Sequence, residues 1–385
     1  MLWEGNLKKY TLNSEGIIVG QDIGTPAIDD DTGFFSDDAY DLWNDTGYPS
    51  GIADGKDVEL GGMVKLLEPA DRNIYTENSS NNLVSFSAAT ATSKTTFGME
   101  AYTDDEYTDV RNWAIGYDVD DLDGDSSTTD SRYSMGDPLH SEPVIITYGG
   151  TDEDNTDATV FFGTNEGFIH AINADTGEEE FAFIPQALHP ILNTYYENTG
   201  AAASKPYGMD GLVSNWFYDV NSNNVILDST GTLEADEHAY LYSGMRRGGK
   251  NYYALDITDR NNPSMLFKIE GGTTTGFDKL GQSWSRMNVA KVKFPGGNSD
   301  GTRFVLFFTG GYDTNQDSNT TSEADSVGNA IYMVDASTGE LLWSASDSGA
   351  DLNISTMVNS IPASLSVIDI TGDGLIDYLF AADTG

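Results

Sequence analysis

Short apolar runs bounded by Gly, Asn or Asp dominate the hydrophobic pattern of this chain, and the stretch Val160–Phe181 shows the pattern most clearly. Val160–Phe162 and Phe168–Ile172 have the composition of β-strands, and polar turns at residues 165–167 and 175–177 follow them. Both turns end in Gly, which adopts positive φ at little cost. The pattern predicts three short strands joined by two tight turns.

This pattern recurs at Asn251–Thr258 and again at Ala330–Trp343. The strand ends at Asn173, Asp256 and Asp335 are then equivalent, with spacings of 83 and 79 residues. Propeller blades repeat every ~40–50 residues, so these blades must carry long insertions. A side-chain oxygen at this position can accept hydrogen bonds from the backbone of the next turn. We interpret the three residues as architectural.

The predicted fold class is all-β, a modified β-propeller with long insertions between and within blades. Residues 1–12 are a candidate ring-closing blade strand, 13–135 an irregular insertion-rich region packed on the propeller, and 136–385 the blades, with the last one incomplete. Short helices are expected near Val110–Tyr117 and Ala187–Tyr196. The first residues lack the pattern of a signal peptide, so we expect a fragment of a longer exported protein.

The composition changes the range of expected partners. Asp and Glu number 62 against 19 Lys and Arg, which gives a net charge of -43. Phosphate contacts need clustered cations, so the charge argues against nucleic acid and against anionic membrane surfaces. No apolar run approaches the roughly 18–20 residues that span a bilayer, so direct membrane insertion is not expected. The chain has no cysteine, which excludes disulfides, thiol catalysis and Cys-based zinc sites.

The strongest candidate chemistry lies in the loop Asp369–Asp377, D-I-T-G-D-G-L-I-D. Oxygen-bearing side chains alternate at Asp369, Thr371 and Asp373 and return at Asp377, and the Leu375 carbonyl adds a fifth oxygen. Hard oxygen donors in a flexible loop with a turn glycine favour Ca²⁺ over Mg²⁺. The residue that would be the twelfth of an EF-hand is Phe380, so the motif predicts a shorter loop between strands. The alternative is an Asx-rich hairpin turn without metal.

Two other acidic loops are weaker metal candidates. In residues 121–130, Asp121, Asp123 and Asp125 alternate, but the glycine comes two positions too early, so a solvated acidic loop is the favoured interpretation. Residues 313–319 alternate oxygen donors without a turn glycine.

No motif for catalysis is present. The histidines at 140, 170, 189 and 238 show no paired spacing, which favours structural roles over a zinc site. Neither the G-x-S-x-G elbow nor the phosphate-binding G-x-x-x-x-G-K-[ST] loop occurs. We therefore predict a protein that is not an enzyme, with no catalytic residues and no organic cofactor.

The order of five motifs resembles the C-terminal region of PilY-type type IV pilus tip proteins. The motifs are G-N-L-K-K-Y from Gly5, L-H-S-E-P-V from Leu139, F-F-G-T-N-E-G-F-I-H-A-I-N-A-D-T-G-E from Phe161, G-G-K-N-Y-Y-A-L-D-I-T from Gly248 and D-G-L-I-D-Y-L-F-A-A-D from Asp373. The resemblance covers nearly the whole chain, and the order of the motifs is more specific than any one of them.

The resemblance implies an exported protein that passes through the periplasm to the pilus tip or cell surface. It implies roles in pilus biogenesis, the balance of extension and retraction, surface adhesion and twitching motility. Minor pilins, the pilus tip complex and surface or host-cell ligands are the implied partners. The family's calcium loop maps onto Asp369, Thr371, Asp373, the Leu375 carbonyl and Asp377, although Thr371 replaces the usual Asp or Asn.

Two alternatives from other classes remain at this stage. Quinone-dependent dehydrogenases share the propeller repeat, but this chain lacks cysteines and an obvious basic, Trp-lined cofactor cradle. A surface-binding propeller unrelated to pili is the other alternative.

Overall fold

The computed structural model describes residues 3–44, 46–88, 91–150, 156–199, 205–318 and 323–385. Strands dominate it, and the α-helices of the described part are α1 (Asp104–Ile115) and α2 (His189–Glu197). Short 3-10 turns lie at Met63–Leu66, Gln186–Leu188, Arg246–Gly248 and Thr314–Asp317. Neither α-helix, nor any other helix among the described residues, is long and apolar enough to cross a membrane.

The chain divides into two compact units. The first comprises residues 1–76, 84–139 and 147–206, and the second comprises residues 77–83, 140–146 and 207–385. This division differs from the predicted boundary at residue 136, because the first blade stays with the preceding region. The buried side chains of Trp43, Met63 and Val64 pack with Val160 and Phe162 of that blade.

Most of a mixed sheet lies in the first unit, with the order β5-β4-β10-β9-β8-β7. Adjacent strands β8, β9 and β10 are antiparallel, and β4 adds to β10 in parallel. The predicted turns follow β8 and β9, where Gly167 has φ 109° and Gly177 has φ 81°. The strands up to this point are β1 Glu4–Gly5, β2 Thr11–Leu12, β3 Ile18–Val19, β4 Ile74–Glu77, β5 Leu83–Ser85, β6 Met135–Gly136, β7 Val144–Gly150, β8 Thr156–Gly163, β9 Ile169–Asn173 and β10 Glu179–Phe183.

Two further meanders form the second unit. One has the order β11-β12-β13-β14, and the other has the order β15-β16-β17-β18 with β19 parallel to β18 at its edge. A hairpin, β20–β21, follows them. These strands are β11 Val213–Tyr218, β12 His238–Gly244, β13 Tyr252–Asp256, β14 Ser264–Ile269, β15 Asn288–Lys293, β16 Thr302–Thr309, β17 Ala330–Asp335, β18 Leu341–Ser346, β19 Leu352–Asn353, β20 Ser366–Ile368 and β21 Tyr378–Phe380.

Aromatic side chains join these two meanders. The rings of Tyr252 of β13 and Phe308 of β16 contact each other at a tilt, with centroids 4.8 Å apart, and the Tyr332 ring of β17 lies 5.4 Å from that of Phe308. The Tyr242 hydroxyl donates to the Ala336 carbonyl at 2.7 Å. Burial of these large side chains and the Tyr242 hydrogen bond together join the two meanders.

The polar strand ends are structurally equivalent, as the repeat predicts. Asn173, Asp256 and Asp335 are the last residues of β9, β13 and β17, the third strand of each meander. The Asn173 Oδ1 accepts from the Asp175 and Thr176 amides at 2.9 and 3.0 Å. Asp256 and Asp335 accept from the backbone two residues later in the same way. Each therefore fixes the turn that follows its strand.

The N-terminal segment forms two short strand pairs. Glu4–Gly5 pairs with β6, about 130 residues later, and Thr11–Leu12 pairs with β3, which is close in sequence. The ring-closing role of residues 1–12 stays a prediction. Alternation over so few residues identifies a strand but does not identify its partner.

Both short helices predicted from the sequence are present, but α1 begins earlier than expected. Thr103 and Glu106 form a reciprocal capping box that starts the helix at Asp104. Asp104, Asp105 and Glu106 occupy the first turn, where the helix dipole favours negative charge.

Candidate metal centre

The Asp369–Asp377 loop connects the antiparallel strands β20 and β21. Ile368 and Tyr378 pair directly across the base of the loop. Val367 and Leu379 pack on the apolar cluster around Val292 and Phe307 of the preceding meander. The Ile376 amide donates to the Lys291 carbonyl at 3.0 Å. The blade therefore holds both ends of the loop in place and leaves its tip exposed.

Backbone amides of the loop bind its own carboxylates. Asp369 accepts from Gly372 at 2.6 Å and from Gly374 at 2.7 Å, one amide on each oxygen. The Gly374 amide is the main cause of a pKa for Asp369 below the usual value of an aspartate. Gly372 and Gly374 have φ of 73° and 81°, so the sharp turn at these positions requires glycine.

Three of the five predicted ligands meet at the Thr371 hydroxyl. Its Oγ1 lies 3.3 Å from Asp369 Oδ1 and 3.3 Å from Asp377 Oδ2. A hydroxyl carries one proton and can satisfy only one of these acceptors at a time. Asp377 Oδ2 also accepts from the Ile370 and Thr371 amides at 3.0 and 3.2 Å, so backbone donors partner both carboxylates. Two carboxylates and a hydroxyl oxygen are nevertheless a set of oxygen ligands that suits a hard cation.

The Asp373 carboxylate forms a hydrogen bond within its own turn. Its Oδ1 accepts from the Leu375 amide at 3.0 Å, and the carboxylates of Asp369, Asp373 and Asp377 are not gathered within 4.8 Å of one another. Three carboxylates, one hydroxyl and the Leu375 carbonyl nevertheless form an all-oxygen donor set, which matches the preference of Ca²⁺. The residues therefore fit a calcium ion by donor chemistry, and the three carboxylates would have to draw together to share one ion.

The two other acidic loops behave differently from each other. One carboxylate oxygen from each of Asp121, Asp123 and Asp125 lies within 4.8 Å of the others. Among the described residues, these three carboxylates form a group that is close enough to share a metal ion. Asp313 is instead buried, and its oxygens accept from the Asn315 and Ser326 amides at 2.9 Å each. Asp313 therefore anchors a turn. Asn319, at the end of that predicted loop, lies outside the described residues.

Two of the four histidines, His170 and His189, are buried. His170 is 2% exposed, and its Nδ1 lies 2.7 Å from Glu179 Oε1. Burial lowers the pKa of His189 to about 3, and its ring packs against Phe86 and Phe97. Both histidines thus lie within the packed interior of the first unit.

Sequence reasoning missed a buried ion pair that links two distant parts of the first unit. Arg72 donates from Nε to Glu179 Oε2 at 2.6 Å and from Nη2 to Oε1 at 3.0 Å. The same guanidinium donates to the carbonyl of Ile115 at the end of α1. The pair is separated by 107 residues, so no local pattern could identify it.

Repeated four-stranded meanders, followed by a hairpin with an acidic oxygen-rich loop, define the chain as a β-propeller protein with a candidate cation loop. Residues 133–385 match the model of the family described as the PilY1 beta-propeller domain, so the chain belongs to that family. This match confirms the predicted all-β, modified β-propeller fold and the resemblance seen in the sequence.

The curated relatives carry the same family name. The chain is 25% identical over 273 residues to type IV pilus biogenesis factor PilY1 of Pseudomonas aeruginosa (strain UCBPP-PA14), covering 65% of this chain and 20% of that protein. It is 32% identical over 152 residues to a PilY1 homolog of Xylella fastidiosa (strain Temecula1), covering 39% of this chain and 10% of that protein. The chain therefore spans no more than a fifth of the length of these two relatives.

A solved structure is also similar. The crystal structure of the Pseudomonas aeruginosa PilY1 C-terminal domain matches with a TM-score of 0.38 and 25% identity, covering 59% of this chain and 36% of that one. The family assignment rests on the sequence matches.

Proposed function

We propose that this chain is the propeller region of a type IV pilus biogenesis factor that acts at the pilus tip or cell surface. The match of residues 133–385 to the PilY1 beta-propeller family carries this proposal, and the names of the curated relatives support it. On this proposal the protein is exported through the periplasm and contacts minor pilins, the pilus tip complex and surface or host-cell ligands. It contributes to the extension and retraction balance, adhesion and twitching motility.

Calcium binding at the Asp369 loop is the second part of the proposal. Asp369, Thr371, Asp373, Asp377 and the Leu375 carbonyl would hold the ion. The grouping of the Asp369 and Asp377 carboxylates around the Thr371 hydroxyl oxygen supports the assignment. When bound, calcium supplies positive charge that offsets the repulsion among three carboxylates. The loop residues would then fix the connection between β20 and β21.

Calcium titration calorimetry of the whole chain tests this part. Asp373→Ala removes one carboxylate at an exposed position and is expected to abolish binding to the loop. Asp259→Ala is a matched control, because Asp259 is also exposed and its Oδ1 accepts from the amide two residues later at 3.1 Å. Unchanged binding to the Asp373→Ala variant would refute the ligand assignment.

We further propose that the propeller is not an enzyme. The sequence supports this view, because it contains no recognisable nucleophile elbow or phosphate loop. Addition of pyrroloquinoline quinone and calcium to the purified protein should produce neither a bound-cofactor spectrum nor dye reduction. A bound quinone with dye reduction would instead establish the dehydrogenase alternative.

A further inference from the structure

The turn that follows β12 carries two adjacent arginines, Arg246 and Arg247, in the second unit. Both guanidiniums lie over the indole of Trp284, with their Cζ atoms 4.3 and 5.2 Å from the ring centroid. The Cζ of Arg247 also lies 5.5 Å from the centroid of the Tyr207 ring. Guanidinium groups are attracted to the faces of aromatic rings at such distances. These four residues together form what we call the arginine–aromatic cluster.

The two arginines differ in how the protein balances their charge. The side chain of Asp210 is fully buried, and its carboxylate accepts from Arg246 Nη1 at 3.1 Å. His140 Nδ1 lies 2.8 Å from the other oxygen of the same carboxylate. Arg247 is exposed, and within the ranges described above its guanidinium forms no ion pair with Asp or Glu. Asp210 therefore compensates Arg246 and leaves the charge of Arg247 available at the surface.

Hydrogen bonds from one neighbouring segment hold the cluster in shape. The Arg246 amide donates to the Ser283 carbonyl at 3.2 Å, and Gln282 Nε2 donates to the Arg247 carbonyl at 3.2 Å. The same glutamine accepts from Trp284 Nε1 at 3.0 Å, so it fixes both the turn and the indole. Arg246 has φ 48°, a conformation that residues other than glycine seldom adopt and that recurs at ligand-binding sites. A site fixed in this way loses little conformational freedom when it binds.

The composition of the cluster favours a protein partner with a carboxylate. Trp, Tyr and Arg are the residues that most often dominate the binding energy of protein–protein interfaces. The planar guanidinium fork matches a carboxylate, which it can bind through two parallel hydrogen bonds. A long polyanion such as nucleic acid needs several phosphate contacts at once, and the net charge of -43 repels it. A short acidic segment needs only one carboxylate at Arg247, and repulsion beyond a Debye length of about 8 Å is largely screened.

We propose that the arginine–aromatic cluster docks a short acidic segment of a partner protein. A carboxylate of that segment pairs with the Arg247 guanidinium, and the atoms next to it pack against Trp284 and Tyr207. Arg246 contributes further positive charge beside the same indole. This inference goes beyond the proposed function, which assigns no contact surface, and it depends neither on pilus assembly nor on calcium at Asp369.

Selection of short random peptides displayed on phage tests the proposal, with the whole chain as bait. The net charge disfavours acidic peptides over most of the surface, so their recovery points to a local cationic site. We expect the wild-type chain to recover peptides rich in Asp and Glu, and we expect Arg247→Ala to recover none.

Fluorescence anisotropy with one recovered peptide then measures the effect of single variants. Arg247→Ala should weaken binding at least about tenfold, which is the loss expected for an arginine at the centre of an interface. Arg247→Lys keeps the charge but lacks the planar fork, so it should retain only part of the affinity. Lys293→Ala is the matched control, because it removes another exposed cation of the second unit and should bind like the wild type.

Failure to recover acidic peptides, or equal affinity of the wild type and Arg247→Ala, would overturn the proposal. A heparin oligosaccharide that binds the wild type but not Arg247→Ala, when no acidic peptide is recovered, would assign the cluster to a sulfated polysaccharide instead. Arg247 is exposed, so both of its variants should keep the circular dichroism spectrum and the melting temperature of the wild type. A loss of binding in these folded variants then reports on the site itself.

Discussion

The buried pair of Arg72 and Glu179 makes the sharpest prediction about stability. Their side chains are 6% and 3% exposed, and two hydrogen bonds of 2.6 and 3.0 Å join them. Arg72→Met keeps much of the volume but leaves the Glu179 carboxylate buried with His170 as its remaining partner. Breaking a buried ion pair from one side costs about 3–5 kcal/mol, and we expect a loss in that range.

Chemical denaturation at pH 7 measures this loss, and a double-substitution cycle isolates its cause. Arg72→Met/Glu179→Gln removes both charges, so it should recover a large part of the stability that Arg72→Met loses. A loss below about 1 kcal/mol for Arg72→Met, or no recovery in the double variant, would refute the reasoning.

The same pair predicts a pH dependence. Burial alone would raise the pKa of Glu179, but Arg72 and His170 outweigh burial and lower it from 4.5 to about 2. The unfolded chain then binds the proton more readily, so this stabilisation is fully present above pH 4.5 and is lost as the pH falls towards 2. The difference corresponds to about 3 kcal/mol. Glu179→Gln should lose stability relative to the wild type at pH 7, and the gap should narrow between pH 4.5 and pH 2.

Three further predictions concern the blades and the loop. Gly339→Ala should destabilise the chain by about 1–3 kcal/mol in denaturant melts, because φ is 70° and the new Cβ would lie 2.5 Å from Phe267 Cδ2. Gly349→Ala is the control for the backbone effect alone. Gly349 has a similar φ of 73°, but no atom lies within 4 Å of the position of the new Cβ. Asp335→Ala should cost about 2–3 kcal/mol, since it removes the 2.6 Å pair with Arg303 and two turn hydrogen bonds, and Asp335→Asn should cost less. Calcium should raise the melting temperature of the wild type more than that of Asp373→Ala, and an equal shift in both would contradict binding at the Asp369 loop.

Local chemistry made the blades predictable. Alternating apolar runs and glycine turns locate β8, β9 and β10, and the polar residue at each third strand end bonds the turn beside it. These interactions link residues that are close in sequence, so a local sequence pattern is enough to predict them. The capping box of Thr103 and Glu106 is equally local and marks the start of α1, several residues before the predicted start at Val110.

Long-range pairing could not be predicted. The partner of the N-terminal strand is β6, about 130 residues later, and 107 residues separate Arg72 from Glu179 in the sequence. Asp118 is 4% exposed, although nothing in the sequence distinguishes it from the exposed acidic residues that follow it. Burial is a property of the folded chain, and the sequence alone does not encode it in any readable motif.

The most direct test of the central claim is the number of surface pili in a strain that lacks the full-length gene and is complemented with single variants. Complementation with the wild type or Asp259→Ala should restore pili, whereas Asp373→Ala, at equal protein level, should fail to restore the wild-type number. Normal piliation in the deletion strain would contradict the role in pilus biogenesis. Full restoration by Asp373→Ala would contradict the role of the Asp369 loop.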